Sequence, residues 1–194
     1  TPLHIDVFGS FSWSANICGR KRWLFIPESN VSRLKSLLGP ELPQSLYPLE
    51  NFYQICHKVQ AFEIIQNPGE TVFVPSGYMH EVMNLEDTIS INHNWFNSCN
   101  IDKIFSSLVN AHEDVQHEIH HLKADFNNDE WLQTCDTMLT IHFGMNFETF
   151  SNIIKYNLKR LKDEKLPEKF SFRQEKDVKK LIEILSKLNK MIVS

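Results

Sequence analysis

The sequence lacks long apolar runs, clustered cysteines and an excess of positive charge. No apolar run approaches the length of about 18 residues that a membrane-spanning helix needs, so no such helix is expected. The net charge of −4 argues against a general nucleic-acid-binding protein. The cysteines are widely spaced and form no C-x-x-C motif, which favours reduced thiols in a cytosolic or nuclear protein over a disulfide framework (Cys18, Cys56, Cys99 and Cys135).

The composition that remains is that of a folded domain. The chain has 194 residues, of which 42% are hydrophobic and 23% are charged. These values are close to those of ordinary globular proteins and suit one domain with a helical appendage. The chain begins with Thr1 on a predicted strand and shows no signal peptide, so we expect it to be part of a longer protein.

Residues 1–97 have the pattern of a strand-rich domain. Short β-branched or aromatic segments, separated by Gly, Pro and Asn, predict strands at 21–26, 61–66, 71–75 and 87–95. A short helix is predicted from Glu28 to Leu38, where Gly39-Pro40 ends it. Many short strands joined by turns predict a barrel or jelly roll.

From Ile101 onward the apolar residues recur at helical spacing. Further helices are predicted near 129–142, 147–162 and 173–192, with a polar hinge at 161–169. The amphipathic end of the chain fits packing on the barrel as well as a homodimer interface. The predicted fold is therefore mainly β with a C-terminal α region, divided at residues 1–97 and 98–194. The first apolar stripe comprises Leu108, Ala111, Val115, Ile119, Leu122 and Phe126.

Two histidines and a carboxylate form a candidate metal site. His4 and Asp6 lie two residues apart, and His80 follows far downstream. Such a facial triad holds a ferrous ion and leaves positions open for a cosubstrate and oxygen. An H-x-D/E pair is expected by chance among 9 His and 24 acidic residues, and His112/Asp114 is a second one. Residues i and i+2 share a face on a strand but point about 200° apart on a helix, so only the first pair can chelate.

A rival metal motif lies in the helical region. His117, Glu118 and His121 spell H-E-x-x-H within the run HEIHH at 117–121, the signature of zinc metalloproteases. On a helix this motif would lie opposite the apolar stripe, and no further ligand motif follows it. We therefore interpret the run as a solvated, His-rich helix face. A barrel that only binds partners is a third interpretation, which the presence of all three ligands disfavours.

Three ordered motifs carry a resemblance to a known family. TPLHID at 1–6, WSANICGRKRW at 13–23 and GETVFVPSGYMHEVMNLEDTISINHNWFN at 69–97 resemble the jumonji-C family of iron- and 2-oxoglutarate-dependent oxygenases. The resemblance implies a double-stranded β-helix whose first strand precedes this chain. It also implies Fe(II) as metal, 2-oxoglutarate as cosubstrate and O₂ as oxidant.

The resemblance implies a role for each matching residue. His4, Asp6 and His80 would be the iron ligands. Lys21 would pair with the far carboxylate of 2-oxoglutarate, where an ammonium group suits a dianion. Thr1 would donate a hydroxyl hydrogen bond to that carboxylate. Asn94 would line the cosubstrate pocket, on the polar face of the alternating strand at 87–95.

Two positions depart from the family pattern. Ser14 stands where related hydroxylases often carry an amide, and neighbouring Asn16 is a candidate substitute. Met79 replaces the polar or aromatic residue that commonly precedes the last ligand, and we expect it to change the pocket wall. Neither position is an iron ligand.

The resemblance also implies a substrate class. It points to hydroxylation of a lysyl side chain on a protein, namely a translation termination factor, in the cytoplasm or nucleus and without direct nucleic-acid binding. N-methyl-lysine demethylation is the alternative within the same family. Nothing in the residues themselves selects lysine.

Overall fold

The structure, a computed structural model, describes residues 1–164 and 171–193. The chain divides into two compact units, residues 1–95 and residues 96–194. Residues 165–169 of the predicted polar hinge lie outside the described residues.

The first unit is built from two antiparallel sheets and two helices, and it confirms the predicted jelly-roll class. The larger sheet has the strand order β1-β6-β3-β4 and the smaller has the order β5-β2-β7. The strands are β1 (His4–Ile5), β2 (Phe11–Cys18), β3 (Lys21–Ile26), β4 (Phe62–Gln66), β5 (Thr71–Val74), β6 (Met79–Asn84) and β7 (Ile89–Trp95), and the helices are α1 (Glu28–Leu38) and α2 (Phe52–Lys58).

Strand β3 separates two hydrophobic cores because its side chains alternate between the faces of the larger sheet. Trp23 and Phe25 pack on the inner face with apolar residues of both sheets, namely Val72, Val74 and Val82. Leu24 and Ile26 point to the outer face, where they pack with residues of α1, α2 and the segment that joins them, including Leu34, Leu46 and Ile55. The inner face of β3 therefore looks into the barrel, and its first residue is Lys21.

The tight connection from β2 to β3 depends on Gly19. This residue has φ 75°, a left-handed conformation that a side chain disfavours. A Cβ atom at this position would lie 2.2 Å from the backbone oxygen of Asp87, so the close approach also requires glycine. Asn16 stabilises the same connection, because its Nδ2 donates a 2.8 Å hydrogen bond to the Gly19 carbonyl.

The second unit is helical over the residues that the structure describes. Its helices are α3 (Ile101–Glu118), α4 (Asn128–Phe143), α5 (Phe147–Asp163) and α6 (Ser171–Val193). No helix in the described ranges combines the length and apolar character that crossing a bilayer requires.

The apolar stripe of the second unit predicts a longer first helix than the structure contains. Helix α3 ends at Glu118, and residues His120–Asp125 form a 3₁₀ turn that leaves Leu122 39% exposed. The cause lies at Asn127, which begins α4 with a capping box. Its side chain accepts from the Glu130 N–H, and the Glu130 carboxylate accepts from the Asn127 N–H. This local signal outweighs the continuation of the stripe to Phe126.

Candidate metal centre

The structure brings His4, Asp6 and His80 together at one end of the larger sheet. His4 is the register partner of His80 across β1 and β6, and the centroids of the two imidazole rings lie 4.2 Å apart. His4 Nε2 and Asp6 Oδ1 are 3.7 Å apart. One potential ligand atom from each of the three residues lies within 4.8 Å of the other two. No other group of three His, Cys, Asp or Glu residues meets this condition in the described chain.

Turns on both sides of the pairing place these ligands. Asp6 follows the two-residue β1 and precedes a 3₁₀ turn at Val7–Gly9, where Phe8 has φ 54° and Gly9 has φ 64°. On the other strand, a turn closed by the Tyr78 N–H and the Pro75 carbonyl delivers His80 into β6. The ligands therefore come from strand ends that turns of defined geometry hold next to each other.

The backbone around each histidine sets its tautomer. Nδ1 of His4 lies 2.8 Å from the Pro2 carbonyl oxygen, and Nδ1 of His80 lies 3.3 Å from the Tyr78 carbonyl oxygen. A carbonyl oxygen only accepts, so in the neutral form of each ring Nδ1 carries the proton and Nε2 keeps the lone pair that can bind a metal. Ligating histidines commonly show this arrangement. The donor set thus fits a divalent metal.

Asp6 is oriented by Ser12, a residue that the sequence analysis does not identify. Ser12 Oγ donates a 2.6 Å hydrogen bond to Asp6 Oδ2. Ser12 lies opposite Asn94 in the β2–β7 register, and Asn94 Nδ2 donates to Ser10 Oγ over 3.1 Å. The signal in the sequence is the alternation of Ser12, Ser14 and Asn16 on β2, which places small polar side chains on the inner face of a strand.

The electrostatics of the three ligands favour metal binding. The hydrogen bond to Asp6 raises the pKa of His4, against the effect of burial. Burial alone would raise the pKa of Asp6, but hydrogen bonds from His4 and Ser12 bring it below its ordinary value. Burial lowers the pKa of His80, and the neighbouring His4 lowers it further. Asp6 is thus an anion and His80 is neutral near neutral pH, which are the forms that bind a metal.

These shifts predict how metal affinity depends on pH. The pKa of His4 lies above the ordinary 6.5, whereas that of His80 lies below it. Protons should therefore compete with the metal first at His4. Isothermal titration with Mn(II), from about pH 8 down to about pH 5.5, should show affinity falling by about tenfold per pH unit once the pH is below the His4 pKa. An affinity that stays constant across this range would contradict the assigned ligands.

A buried cation lies inside the barrel, on the same face of the larger sheet as His80. Lys21 is 8% exposed, and no hydrogen bond or ion pair to its ammonium group occurs among the described residues. Burial lowers its pKa. A buried charge without a partner is costly, so the site favours an anionic ligand. Phe25 is the register partner of His80, and Lys21 precedes Phe25 by four positions, about 13 Å along the strand. This spacing leaves room for a small dicarboxylate between the cation and the metal ligands.

Polar atoms of β2 add to this cavity. Ser14 Oγ and Asn16 Oδ1 are buried and have no hydrogen-bond partner among the described residues. Buried polar groups are normally satisfied, so both are candidates to contact a ligand or water. One N–H of the Asn16 amide donates to the Gly19 carbonyl, and the unpartnered Oδ1 is the atom that we expect to act as the substitute at the Ser14 position.

The remaining predicted residues have different positions. Thr1 is exposed, and its backbone pairs with Val82, while its hydroxyl makes no hydrogen bond within the described residues. Asn94 is also exposed, although its side chain reaches Ser10. The expectation for Met79 is wrong. Its side chain points away from the cavity and packs in the outer core with Leu24 and Ile26, because it alternates with His80 along β6.

The rival motif at 117–121 does not form a metal site. Helix α3 ends at Glu118, so His117 and His121 do not share one face of a continuous helix. His117, Glu118 and His121 are exposed, and none belongs to a cluster of potential ligands in the described chain. The solvated interpretation therefore agrees with the structure, and the zinc protease interpretation has no geometric support.

Comparison with known proteins bears on the same residues. The JmjC domain, hydroxylase family matches residues 1–95. The 2-oxoglutarate and iron-dependent oxygenase JMJD4 of Mus musculus is 42% identical over 160 residues, which are 80% of this chain and 37% of that protein. The Arginine-specific demethylase JMJ20 of Arabidopsis thaliana is 40% identical over 152 residues, covering 77% of this chain and 32% of that protein.

A third relative has a name with two activities. The Bifunctional arginine demethylase and lysyl-hydroxylase psr-1 of Caenorhabditis elegans is 32% identical over 121 residues, covering 56% of this chain and 30% of that protein. The chain thus spans about a third of the length of the relatives that it matches. The family match covers the whole first unit and includes all three candidate ligands, which confirms the resemblance inferred from the motifs. Through residues 1–95, the chain belongs to the JmjC domain family of hydroxylases.

Proposed function

We propose that the protein is an Fe(II)- and 2-oxoglutarate-dependent oxygenase that hydroxylates a protein side chain. The observation that carries this proposal is the pairing of a His–Asp–His ligand set with a buried, unpartnered lysine inside the same barrel. A metal site alone would fit many functions. The added cation selects an anionic cosubstrate, and the names of relatives such as JMJD4 include both 2-oxoglutarate and iron.

The overall reaction follows from this cosubstrate. One oxygen atom of O₂ is incorporated into succinate, which forms from 2-oxoglutarate with loss of CO₂, and the other becomes the hydroxyl group of the product. When bound, the iron supplies the redox chemistry that activates oxygen. The protein has to bind and orient the cosubstrate and the substrate, and it has to exclude water.

Each residue of the site has a physical role in that task. His4, Asp6 and His80 hold the metal, and Ser12 keeps the Asp6 carboxylate in one orientation. Lys21 holds the distal carboxylate of the cosubstrate, which fixes the position of its keto-acid end near the metal ligands. Trp23 and Phe25 form an apolar wall, and both rings stack near His80 at centroid distances of 5.8 and 5.9 Å. This wall excludes water from the cavity.

The site is open on one side. The side chains of His4 and Asp6 retain 33% and 13% of their exposure, whereas His80 is 3% exposed. Cosubstrate and a protruding protein side chain can therefore approach from the His4 side.

For the substrate, we propose a lysyl residue of a translation termination factor. The resemblance of the motifs supports this choice, and the name of psr-1 includes lysyl hydroxylation. Demethylation of a methylated arginine is the second candidate, since the names of JMJ20 and psr-1 include it. We also propose a cytoplasmic location, which the four free cysteines support.

Mass spectrometry separates the two candidates. The full-length protein is incubated with Fe(II), 2-oxoglutarate, O₂ and either a recombinant termination factor or peptides that carry methylarginine. We expect the termination factor to gain the mass of one oxygen atom on a lysyl residue, together with formation of succinate. Loss of a methyl group with release of formaldehyde would favour the demethylase instead. An Asp6→Ala variant serves as the inactive control.

A further inference from the structure

Glu81 directly follows the ligand His80, but its side chain lies on the opposite face of β6. Successive side chains alternate along a strand, so His80 points into the barrel and Glu81 points to the outer core. Glu81 is 4% exposed, and its register partner on β3 is Leu24, which is also buried. A carboxylate in such a place is retained only if hydrogen bonds satisfy it.

The segment that joins α1 to α2 supplies these hydrogen bonds. The Leu46 N–H donates to Glu81 Oε2 over 2.9 Å, and Ser45 Oγ donates to Glu81 Oε1. Leu46 itself is fully buried in the outer core. Residues 44–46, which we term the brace segment, are thus tied to β6 at the position that follows His80.

The brace segment also contacts the other strand that carries ligands. The Leu3 N–H donates to the Gln44 carbonyl oxygen over 2.7 Å, and Leu3 directly precedes His4. Strand β1 has only two residues in register with β6, His4 and Ile5. Backbone hydrogen bonds between Thr1 and Val82 extend this pairing before His4, and the Leu3–Gln44 bond holds the same segment from the side of the brace segment.

We propose that Glu81 is a positioning residue of the metal centre, which acts by anchoring the brace segment across both ligand-bearing strands. Its carboxylate fixes the brace to β6, and the brace fixes β1 through Gln44 and Leu3. The result is a constant separation between His4 and His80. The inference rests on the metal site of the proposed function and adds a residue that contacts neither metal nor cosubstrate.

A test uses Co(II) as probe in the full-length protein, because its visible ligand-field absorption reports coordination geometry directly. Glu81→Leu keeps the volume of the side chain but leaves the Ser45 hydroxyl and the Leu46 N–H without an acceptor. We expect this variant to bind Co(II) about tenfold more weakly than wild type, with an altered absorption band. A residue that only stabilises the fold would lower the melting temperature and leave the band unchanged.

A conservative variant and a matched control sharpen the test. Glu81→Gln should stay within about twofold of wild type, because its amide oxygen accepts from Leu46 and its NH₂ group donates to Ser45 Oγ. On the side of β3 away from Glu81, the register partner of Leu24 is Glu63 of β4. The Glu63 carboxylate accepts a hydrogen bond from Arg22, which is not part of the brace segment. Glu63→Leu should therefore leave both Co(II) affinity and absorption unchanged.

Each outcome decides the inference. A folded Glu81→Leu variant with wild-type affinity and absorption would overturn it. If Glu81→Leu does not fold, Ser45→Ala removes one donor only and should shift affinity and absorption in the same direction by a smaller amount, and the absence of any shift would overturn the inference. A wild-type protein that binds no Co(II) would overturn the proposed function and this inference together.

Discussion

Replacing Asp6 by alanine should weaken Fe(II) or Mn(II) binding by more than about 100-fold, because even loss of an outer-shell partner typically costs 10- to 100-fold in metal affinity. The carboxylate is the only anion among the three ligands. It also raises the pKa of His4, so its loss alters the protonation of a second ligand. Ser12 would lose the acceptor of its hydrogen bond as well.

Isothermal titration with Mn(II) measures this effect, and two further variants define its cause. Asp6→Asn keeps the shape of the side chain and an oxygen that can accept from Ser12 Oγ. A loss of metal affinity in this variant therefore reports the missing negative charge. Glu86→Ala removes an exposed carboxylate that pairs with Arg20 over 2.6 Å in the same unit, and it should leave metal affinity unchanged. Wild-type metal affinity in Asp6→Ala would show that the metal binds elsewhere.

Replacing Lys21 by methionine should lower the affinity for 2-oxoglutarate by about 100-fold, because a buried ammonium–carboxylate contact contributes about 2–5 kcal/mol. Metal affinity should not change, since Lys21 is not among the ligands. The same substitution should raise the stability of the protein without cosubstrate. The reason is that Lys21 is buried without a partner and its ammonium group costs free energy in that state.

Two measurements test this prediction, because Lys21→Met should lower the cosubstrate affinity and raise the stability. Titration with 2-oxoglutarate in the presence of Mn(II) gives the cosubstrate affinity, and chemical unfolding of the metal-free protein gives the stability. Lys58→Met changes an exposed lysine of α2 and should affect neither quantity. Unchanged cosubstrate affinity in Lys21→Met would remove Lys21 from the site, whatever happens to the stability.

The sequence predicts those elements that have a strong local pattern. The short aromatic and β-branched segment KRWLFI, with Gly19 and Pro27 near its ends, predicts β3 with both of its ends, and Gly39, with φ 99°, marks the end of α1. Such features depend on neighbouring residues and on backbone preferences, which the sequence displays directly. The strand placement expected for His4 and Asp6 holds only for His4, because Asp6 lies in the turn that follows β1.

Features that depend on distant pairing were not predictable. Strand β1 has two residues, which is too short for a periodic signal, and only its register with β6 places His4 beside His80. The expectation for Met79 was wrong for a local reason, because adjacent side chains of a strand point to opposite faces and Met79 therefore points away from the cavity that His80 faces. Ser45 and Glu81 act through a contact between residues far apart in the chain, so spacing alone does not identify them.

The central claim is that one site binds Fe(II) and 2-oxoglutarate together. Anaerobic titration of the Fe(II)-loaded, full-length protein with 2-oxoglutarate, followed by visible absorption, tests it most directly. We expect a weak charge-transfer band that saturates in proportion to the protein, and we expect it to be absent in the Asp6→Ala variant. A folded protein that develops no such band, or a band that persists in a His4→Ala/Asp6→Ala double variant, would contradict the account.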